Sequence, residues 1–426
     1  MNPNWNAYIA RLKKDVVPAL GCTEPMSVAL AAANCRQLLG QLPEKMQVWV
    51  SGNLFKNGMG VGVPGTGMTG LSMAAAIGAV GGDPEGGLEV LANINAEQVD
   101  TAKTLLGDIQ VDVKAVADVL YAEVEAIAGD QSAKVVICSD HTRIVLMEKN
   151  GEVLLDQGMG NEESQAVMAE QPAMTLSMVI DFALNVPLEE IAFMAQAAEL
   201  NKALAEEGLN GYGLRIGKMM TEQVERKLLS DDLMTLAMRL ASAASDARMD
   251  GAMLPAMSNS GSGNQGIAAT MPVVAAAQFL GKDQETLTRA LAMSHLIAIY
   301  IKTYQNKLSA LCAASTAAMG SSAAITWMLG GTLEQMAACI SNMIGDVSGI
   351  ICDGAGSACS MKVSTSASAA VKAALMAVNN YGVGENEGIV TANIDATIAN
   401  LGHLSKYGML DTDVEIINIM RNKYQY

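Results

Sequence analysis

The chain has 426 residues and a formal net charge of −17, from 44 acidic and 27 basic side chains. Nucleic-acid binding needs Lys and Arg clustered along one face, and no such cluster occurs, so the composition excludes a nucleic-acid partner. Half of the residues are apolar but only 4% are aromatic, so small and aliphatic side chains and methionine must form the core. A chain of this length predicts two or three packed units.

Two long uncharged stretches, 251–281 and 308–333, raise the question of membrane insertion. Both are interrupted by Ser, Thr, Asn, Gln and Gly, which favours buried helices over membrane-spanning ones. The N-terminal segment lacks the continuous apolar run of a signal peptide. We therefore expect a cytoplasmic protein without membrane contact, whose seven cysteines are not paired in disulfides.

The first predicted elements are two helices, over 4–18 and 25–39, separated by the break GCTEP. Residues 47–52 alternate as a strand does, and a glycine-rich turn leads to a predicted helix over 67–80. The N-terminal part of the chain thus mixes helix and strand.

Alternating periodicity returns over 109–155, where Asn150 and Gly151 form the two-residue turn of a hairpin. Beyond Ala173 the pattern is helical, with glycine-rich breaks near Gly261, Gly330, Gly354 and Gly384. These patterns predict an α+β fold with a large, mainly helical core and a smaller β-containing subdomain near the N-terminal end. We assign 1–45 to N-terminal helices of the core, 46–160 to the α+β subdomain and 161–426 to the helical core.

Two glycine-rich loops precede predicted helices and offer backbone amides to an anion such as a substrate carboxylate. The candidate binding residues are Thr66 and Gly67 in the first loop, and Ser260, Gly261, Ser262 and Asn264 in the second. A mobile glycine turn is the alternative for each loop.

The first loop also matches the GxGxxG spacing at Gly60, Gly62 and Gly65. Pro64 removes a backbone donor from that loop, and Asp83 lies in a turn rather than at the end of a second strand. A dinucleotide site is therefore poorly supported.

The cysteines fall into two groups. Those in apolar helices or a strand are expected in the core: Cys35, Cys138 and Cys339. The others lie in the low-charge C-terminal third, where the last two frame the turn DGAGSA: Cys312, Cys352 and Cys359. Three thiolates suit a soft metal or an iron–sulfur cluster. The three scattered histidines give little support to a histidine-based zinc site.

Cys22, in GCTEP, precedes the helix that Pro25 opens, where the helix dipole can lower the pKa of a thiol. It can equally be a cap or a buried small residue, and Glu24 can simply favour the helix start. Lys56 or Lys302 would be the reactive amine if the protein were instead a pyridoxal phosphate enzyme.

Five blocks of the chain carry a family resemblance: PALGCTEP, SGNLFKNGMGVGVPGTGM, ASDARMDGAMLPAMSNSGSGNQGI, LSALCAASTAAMG and IGDVSGIICDGAGSACSMKVSTSA. Together they resemble the L-cysteine desulfidase family, which is related to the α-chain of iron–sulfur L-serine dehydratases. The blocks extend from residue 18 to about 370, so the resemblance covers nearly the whole chain.

The resemblance implies a catalytic helical core that converts L-cysteine to pyruvate, hydrogen sulfide and ammonia with a [4Fe-4S] cluster. It further implies that Cys312, Cys352 and Cys359 are the cluster ligands and that Cys22 is the proton acceptor. The expected partner is a small amino-acid substrate, and assembly into a homo-oligomer is left open. Two alternatives remain at this point: a lyase acting on L-serine or a related amino acid, and a non-catalytic amino-acid or iron–sulfur sensor.

Overall fold

The computed structural model describes residues 3–159, 174–305 and 309–423. Within these ranges the helices are, in chain order, α1 Pro3–Asp15, α2 Thr23–Leu39, α3 Gly52–Gly58, α4 Leu71–Gly81, α5 Ala96–Leu105, α6 Leu176–Asn185, α7 Leu188–Ile191, α8 Ala195–Gly208, α9 Ile216–Glu225, α10 Leu233–Met249, α11 Gly263–Phe279, α12 Gln284–Thr303, α13 Ala313–Met328, α14 Leu333–Val347, α15 Cys359–Val378, α16 Ile394–His403 and α17 Leu410–Lys423. The strands are β1 Pro18–Leu20, β2 Lys45–Val50, β3 Gly62–Val63, β4 Met68–Thr69, β5 Ile109–Val113, β6 Tyr121–Ala128, β7 Gln131–Cys138, β8 Ile144–Lys149, β9 Glu152–Asp156 and β10 Pro255–Met257.

A mixed sheet has the strand order β5-β2-β6-β7-β8-β9. Only β2 and β5 run parallel to each other, and the remaining neighbours are antiparallel. The predicted hairpin is confirmed between β8 and β9, where Asn150 and Gly151 have φ values of 51° and 80°. Positive φ at both central residues is what the two-residue type I′ turn requires.

One face of this sheet is covered by helices α2 and α4. Apolar residues of β2, β6 and β7 share a buried cluster with these helices. The helices approach each other at backbone distance, because a Cβ on Gly78 would lie 2.3 Å from the Ala29 carbonyl oxygen. The packing thus places α2 with the sheet, although the sequence-based division grouped 1–45 with the helical core. The boundary at 160 lies outside the described residues.

The helical core is built around α10, α11, α12, α13 and α15, whose buried residues form a second hydrophobic cluster. Almost every residue of α11 and α13 is buried, as their uncharged sequences predict. Small residues allow this close packing: a Cβ on Gly320 would lie 2.2 Å from the Ser294 carbonyl oxygen. The predicted α+β fold with a large helical core is confirmed.

The helix predicted over 67–80 begins four residues later, at Leu71. Residues Met68–Thr69 instead pair with Gly62–Val63 as a short antiparallel ladder. Gly65 and Gly67 have positive φ values of 71° and 65° in the intervening turn. The extended pairing and these left-handed residues exclude a helix before Gly70.

The part of the chain that contains the sheet is joined to the helical core where β1 pairs antiparallel with β10. This ladder joins the segment that leads into α2 with the segment that leads into α11. A small buried group of Cys22, Val61 and Met249 lies at the junction, and Ala355 and Cys359 pack against it. In the described ranges, no helix combines the length and apolar character needed to cross a membrane.

Candidate active site

A cavity of about 90 Å³ lies at the junction of the two clusters, with room for several water-sized groups. Four thiols line it: Cys22 before α2, Cys312 before α13, Cys352 in the loop after α14, and Cys359 at the start of α15. The four cysteines that the sequence analysis singled out therefore line one cavity, although the segments that carry them lie far apart in the chain.

Backbone pairing brings Cys312 and Cys352 together. Leu311 and Ile351 form an antiparallel bridge. The Cys312 amide donates a hydrogen bond to the Ile350 carbonyl oxygen at 3.0 Å, and the Cys352 amide donates one to the Ala310 carbonyl oxygen at 2.7 Å. Both cysteines are thus positioned by main-chain contacts, which do not depend on their side chains.

The turn DGAGSA folds closely against α3 and the loop after it. Gly354 has a φ of 117°, and a Cβ there would lie 2.9 Å from the Lys56 carbonyl oxygen. Lys56 is fully buried, and its ammonium donates to the Cys352 carbonyl oxygen at 3.1 Å and to Asp413 Oδ1 at 2.6 Å. Asn57 Oδ1 lies 3.9 Å from Cys352 Sγ. Lys56 therefore holds the cysteine loop, whereas Lys302 lines the cavity.

Burial and neighbouring thiols raise the pKa values of Cys352 and Cys359. Burial raises the pKa of Cys359 to about 12, and the neighbouring Cys352, Cys312 and Cys22 add to this effect. Burial also raises the pKa of Cys352, where Cys312 adds to the effect and Lys56 opposes it. A bound cation would favour the thiolate forms of these two cysteines.

A four-iron cluster and a single metal ion need different arrangements of their ligands. Within the part of the chain that the structure describes, no three His, Cys, Asp or Glu side chains meet as ligands of one ion. A four-iron cluster binds each cysteine at a different iron, so its ligands need to surround a cavity rather than converge on a point. Cys312, Cys352 and Cys359 line one cavity in this way.

The remaining cysteines are buried away from the cavity, as expected for core residues. Cys35 Sγ lies 3.3 Å from the Val124 carbonyl oxygen. Cys138 Sγ lies 3.3 Å from Asp118 Oδ2, and Cys339 Sγ lies 3.0 Å from the Met336 carbonyl oxygen. The Cys339 partner is in the same helix, the Cys35 partner is in β6, and the Cys138 partner is in the loop before β6.

Cys22 is the N-cap residue of α2, and its side chain forms no capping hydrogen bond. Its Sγ lies 3.7 Å from Met249 Sδ. Burial raises the pKa of Cys22 to about 11; Arg248 opposes this effect and Glu24 adds to it. The pKa is thus raised, contrary to the expectation that the helix start lowers it, because desolvation is the largest effect.

The second glycine-rich loop forms one wall of the cavity. Ser260 and Gly261 have φ values of 49° and 82° and make a two-residue turn. The Thr23 hydroxyl donates to the Gly261 carbonyl oxygen at 2.9 Å, which fixes the loop against α2. Ser262 caps α11 by accepting from the Gln265 amide at 3.4 Å. The predicted residues Ser260, Gly261, Ser262 and Asn264 all line the cavity.

The first glycine-rich loop lies elsewhere. The Thr66 hydroxyl donates to the Val63 carbonyl oxygen at 2.7 Å and accepts from the Met68 amide at 3.1 Å. Thr66 and Gly67 thus close the turn between β3 and β4, and neither lines the cavity. Their role in substrate binding stays a prediction.

Sequence reasoning missed five polar residues of the cavity wall: Glu24, Asn57, His141, Arg248 and Ser309. Glu24 Oε1 accepts from Asn57 Nδ2 at 3.1 Å. The sequence did point to Glu24, because it lies two residues from Cys22 in GCTEP. His141 enters from the turn between β7 and β8, and Arg248 from the last turn of α10. These two have no local signal, because each reaches the cavity only through the fold.

Residues 85–418 match the family described as serine dehydratase alpha chain. The chain belongs to the serine dehydratase alpha chain family. The match to this family includes Arg248, the loop at 260–264 and the C-terminal cysteines, whereas Cys22 lies before it. The chain is 72% identical to a UPF0597 protein of Aeromonas hydrophila over all 426 of its residues and 98% of the relative. It is 54% identical to a UPF0597 protein of Photobacterium profundum over 98% of this chain and 99% of the relative.

Proposed function

We propose that this protein is an iron–sulfur-dependent lyase that converts L-cysteine to pyruvate, hydrogen sulfide and ammonia. The observation that carries the proposal is the meeting of Cys22, Cys312, Cys352 and Cys359 at one cavity. The blocks around these residues resemble the L-cysteine desulfidase family, and membership of the serine dehydratase alpha chain family supports a lyase reaction.

Cys312, Cys352 and Cys359 would hold a [4Fe-4S] cluster through their thiolates. When bound, such a cluster supplies a Lewis acid that stabilises the charge developing on the leaving group. The shared cavity and the raised pKa values of Cys352 and Cys359 fit this role, because a bound cation favours the thiolate.

The chain's own residues bind the substrate and accept its proton. Ser262 and Asn264, at the start of α11, offer donors to the substrate carboxylate. Cys22 accepts the α-proton as the carbon–sulfur bond breaks. For this it must be a thiolate, and Arg248 opposes the effect of burial on its pKa. The aminoacrylate product tautomerises to an imine, which water hydrolyses to pyruvate and ammonia.

L-serine is the second candidate substrate, favoured by the description of the matched family. It would lose water by the same elimination and give pyruvate and ammonia. The same proton acceptor and the same hydrogen-bond donors to the substrate carboxylate would serve either leaving group. The relative rates of turnover therefore have to distinguish the two substrates.

The proposal is tested with protein purified without air, because the resemblance to the L-cysteine desulfidase family implies an oxygen-sensitive cluster. We expect a brown preparation with about four irons per chain. Pyruvate should form faster from L-cysteine than from L-serine, with one sulfide released for each pyruvate. Faster turnover of L-serine would make the protein a dehydratase, and anaerobic protein without iron would contradict both reactions.

The ligand assignment is tested by measuring iron content. Cys312→Ala, Cys352→Ala and Cys359→Ala should each lose the stable four-iron cluster, because too few thiolates remain. A matched variant replaces the core cysteines Cys35, Cys138 and Cys339 with Ala, and it should keep its iron. Loss of iron from that control, together with retention in any ligand variant, would overturn the assignment.

A further inference from the structure

We propose that Arg248 binds the α-carboxylate of the amino-acid substrate, an inference that rests on the proposed function. Arg248 is only 4% exposed, at the C-terminal end of α10, and it lines the cavity with Cys22 and Asn264. A guanidinium presents its donors as a planar fork that matches the two oxygens of a carboxylate.

The contacts of Arg248 leave most of this fork for a ligand. Its Nε donates to the Gly21 carbonyl oxygen at 3.1 Å, and its Nη1 lies 3.4 Å from Met249 Sδ. Among the described residues it forms no ion pair with Asp or Glu. A buried charge without a counter-charge is costly. Arg248 therefore offers an anion-binding group that the fold itself does not neutralise.

Two other cations with little exposure, Lys56 and Arg289, do have carboxylate partners. Lys56 pairs with Asp413. Arg289 pairs with Glu285 and also donates to the carbonyl oxygens of Ala183 and Val186. Arg248 differs from both because it faces the cavity and lacks a carboxylate.

The start of α11 lies directly against this guanidinium. A Cβ on Gly263 would lie 2.1 Å from Arg248 Nε and 2.6 Å from Cζ, so only glycine admits the side chain here. The first amides of α11, at Gly263 and Asn264, belong to the turn whose N–H groups have no partner within the helix. The positive end of a 17-residue helix and an unneutralised arginine thus meet at one wall.

The rest of the cavity suits the other groups of an amino acid. Glu24 provides a carboxylate on the same cavity, suited to an ammonium group, and the four thiols belong to the same lining. The class of ligand that this combination favours is a small α-amino acid. In such a ligand, Arg248 recognises the carboxylate and thereby sets the orientation of Cα.

The test measures binding rather than turnover, because Arg248 also affects the pKa of Cys22. L-alanine is the probe, since it has the carboxylate and the ammonium of the substrate but no leaving group. Ethylamine is the matched probe without a carboxylate. Both are titrated calorimetrically into the full chain, purified without air, with iron content measured for every variant.

We expect wild-type protein to bind L-alanine and not ethylamine. Arg248→Gln should weaken L-alanine binding by about 10²-fold or more, the usual effect of removing one partner of a buried charged contact. Arg248→Lys keeps the charge but not the fork, so it should be intermediate. Arg289→Gln is the control arginine outside the cavity and should bind as wild type does. Iron content should stay normal in all three variants.

The inference is overturned if Arg248→Gln keeps its iron and binds L-alanine with unchanged affinity. It is equally overturned if Lys302→Met, at the same cavity, abolishes binding while Arg248→Gln does not. Arg248-dependent binding of L-alanine by a protein that turns over neither L-cysteine nor L-serine would support the inference and refute the proposed function, so the two failures are distinguishable.

Discussion

The proposed role of Cys22 as proton acceptor depends on the groups that surround its thiol. Its thiol is buried beside Met249, with Arg248 and Glu24 acting on its pKa in opposite directions. If it accepts the α-proton and is not a ligand, Cys22→Ala should keep four irons and lose roughly 10²- to 10⁴-fold in kcat, the usual range for a positioned base. Iron content and pyruvate formation, measured on the same anaerobic preparation, test this.

Cys22→Ser separates the remaining possibilities. A hydroxyl is a much weaker base than a thiolate at neutral pH, so this variant should be as inactive as Cys22→Ala. Loss of the cluster in either variant would make Cys22 a ligand. Near-normal turnover would make it a bystander, and Glu24 and His141, which line the same cavity, would then be the groups to replace.

The sequence separates the cavity cysteines from the core cysteines, but it does not predict the pKa values of their thiols. The spacing around DGAGSA and the apolar context of Cys35, Cys138 and Cys339 are local features, and they are enough to separate the two groups. The pKa of Cys22 cannot be predicted in this way, because desolvation and Arg248 act through contacts between segments more than two hundred positions apart.

Among the elements, those with strong local patterns were predictable. The alternating segments between 109 and 155 form β5 to β9, and the turn at Asn150 and Gly151 is where the sequence indicates it. The two glycine-rich loops look alike in sequence, yet only the one before α11 reaches the cavity. Tertiary packing makes this distinction. The Thr23 hydroxyl holds the second loop against α2, whereas the first loop forms the turn between the paired strands β3 and β4.

A buried histidine supports the loop before α11. Asn259 Nδ2 donates to His295 Nδ1 at 3.1 Å, and His295 Nε2 lies 2.9 Å from the Thr270 hydroxyl oxygen. Asn259 Oδ1 in turn accepts from Gln265 Nε2 at 2.8 Å. With Asn259 donating to Nδ1, the hydrogen of the neutral ring is on Nε2. His295 thus connects α12 to the residue that begins the turn at Ser260.

This histidine should give the protein an acid-sensitive contribution to stability. Burial lowers the pKa of His295 to about 3, from an ordinary value near 6.5. The folded state keeps the ring neutral, while the unfolded state binds a proton below pH 6.5. The free energy of unfolding should therefore fall as the pH drops from 6.5 towards 3, by at most about 1.4 kcal/mol per pH unit from this group.

His295→Gln removes the titrating group and tests this effect. The variant should be less stable than wild type at pH 7.5, yet lose roughly 2 kcal/mol less between pH 6.5 and pH 5. Urea unfolding at these pH values gives the comparison. His403→Gln, at an exposed position, is the control and should follow the wild-type profile. Parallel profiles for wild type and His295→Gln would show that the ring does not resist protonation in the folded state.

At the scale of the whole molecule, the cavity depends on how the two hydrophobic clusters are joined. The helical core supplies Cys312, Cys359 and Arg248, and the part containing the sheet supplies Cys22 and His141. Lys56 connects the two across this junction, from α3 to the Cys352 carbonyl oxygen and to Asp413 on the C-terminal helix α17. No sequence pattern predicts such a contact, because its partners are about three hundred positions apart.

Replacing Lys56 should therefore weaken both stability and cluster retention. Lys56→Met leaves the Asp413 carboxylate, 13% exposed, and the Cys352 carbonyl oxygen without this donor. We expect a loss of roughly 3 kcal/mol in the free energy of unfolding, at the low end for breaking a buried pair because Asp413 keeps some contact with solvent. Iron should also be released faster to a chelator, since the Cys352 carbonyl oxygen loses its contact with Lys56. Denaturant unfolding and the rate of iron release measure the two effects.

The matched control is Lys372→Met, which breaks the exposed pair with Asp346 and should cost less than about 1 kcal/mol without changing iron release. A second variant, Lys56→Met combined with Asp413→Leu, removes the uncompensated carboxylate and should regain most of the lost stability. If Lys56 acts on the cluster through the Cys352 backbone, this double variant should still release iron faster than wild type. Wild-type iron release in both Lys56 variants would mean that the pairing of Leu311 with Ile351 is sufficient to hold the cysteine loop.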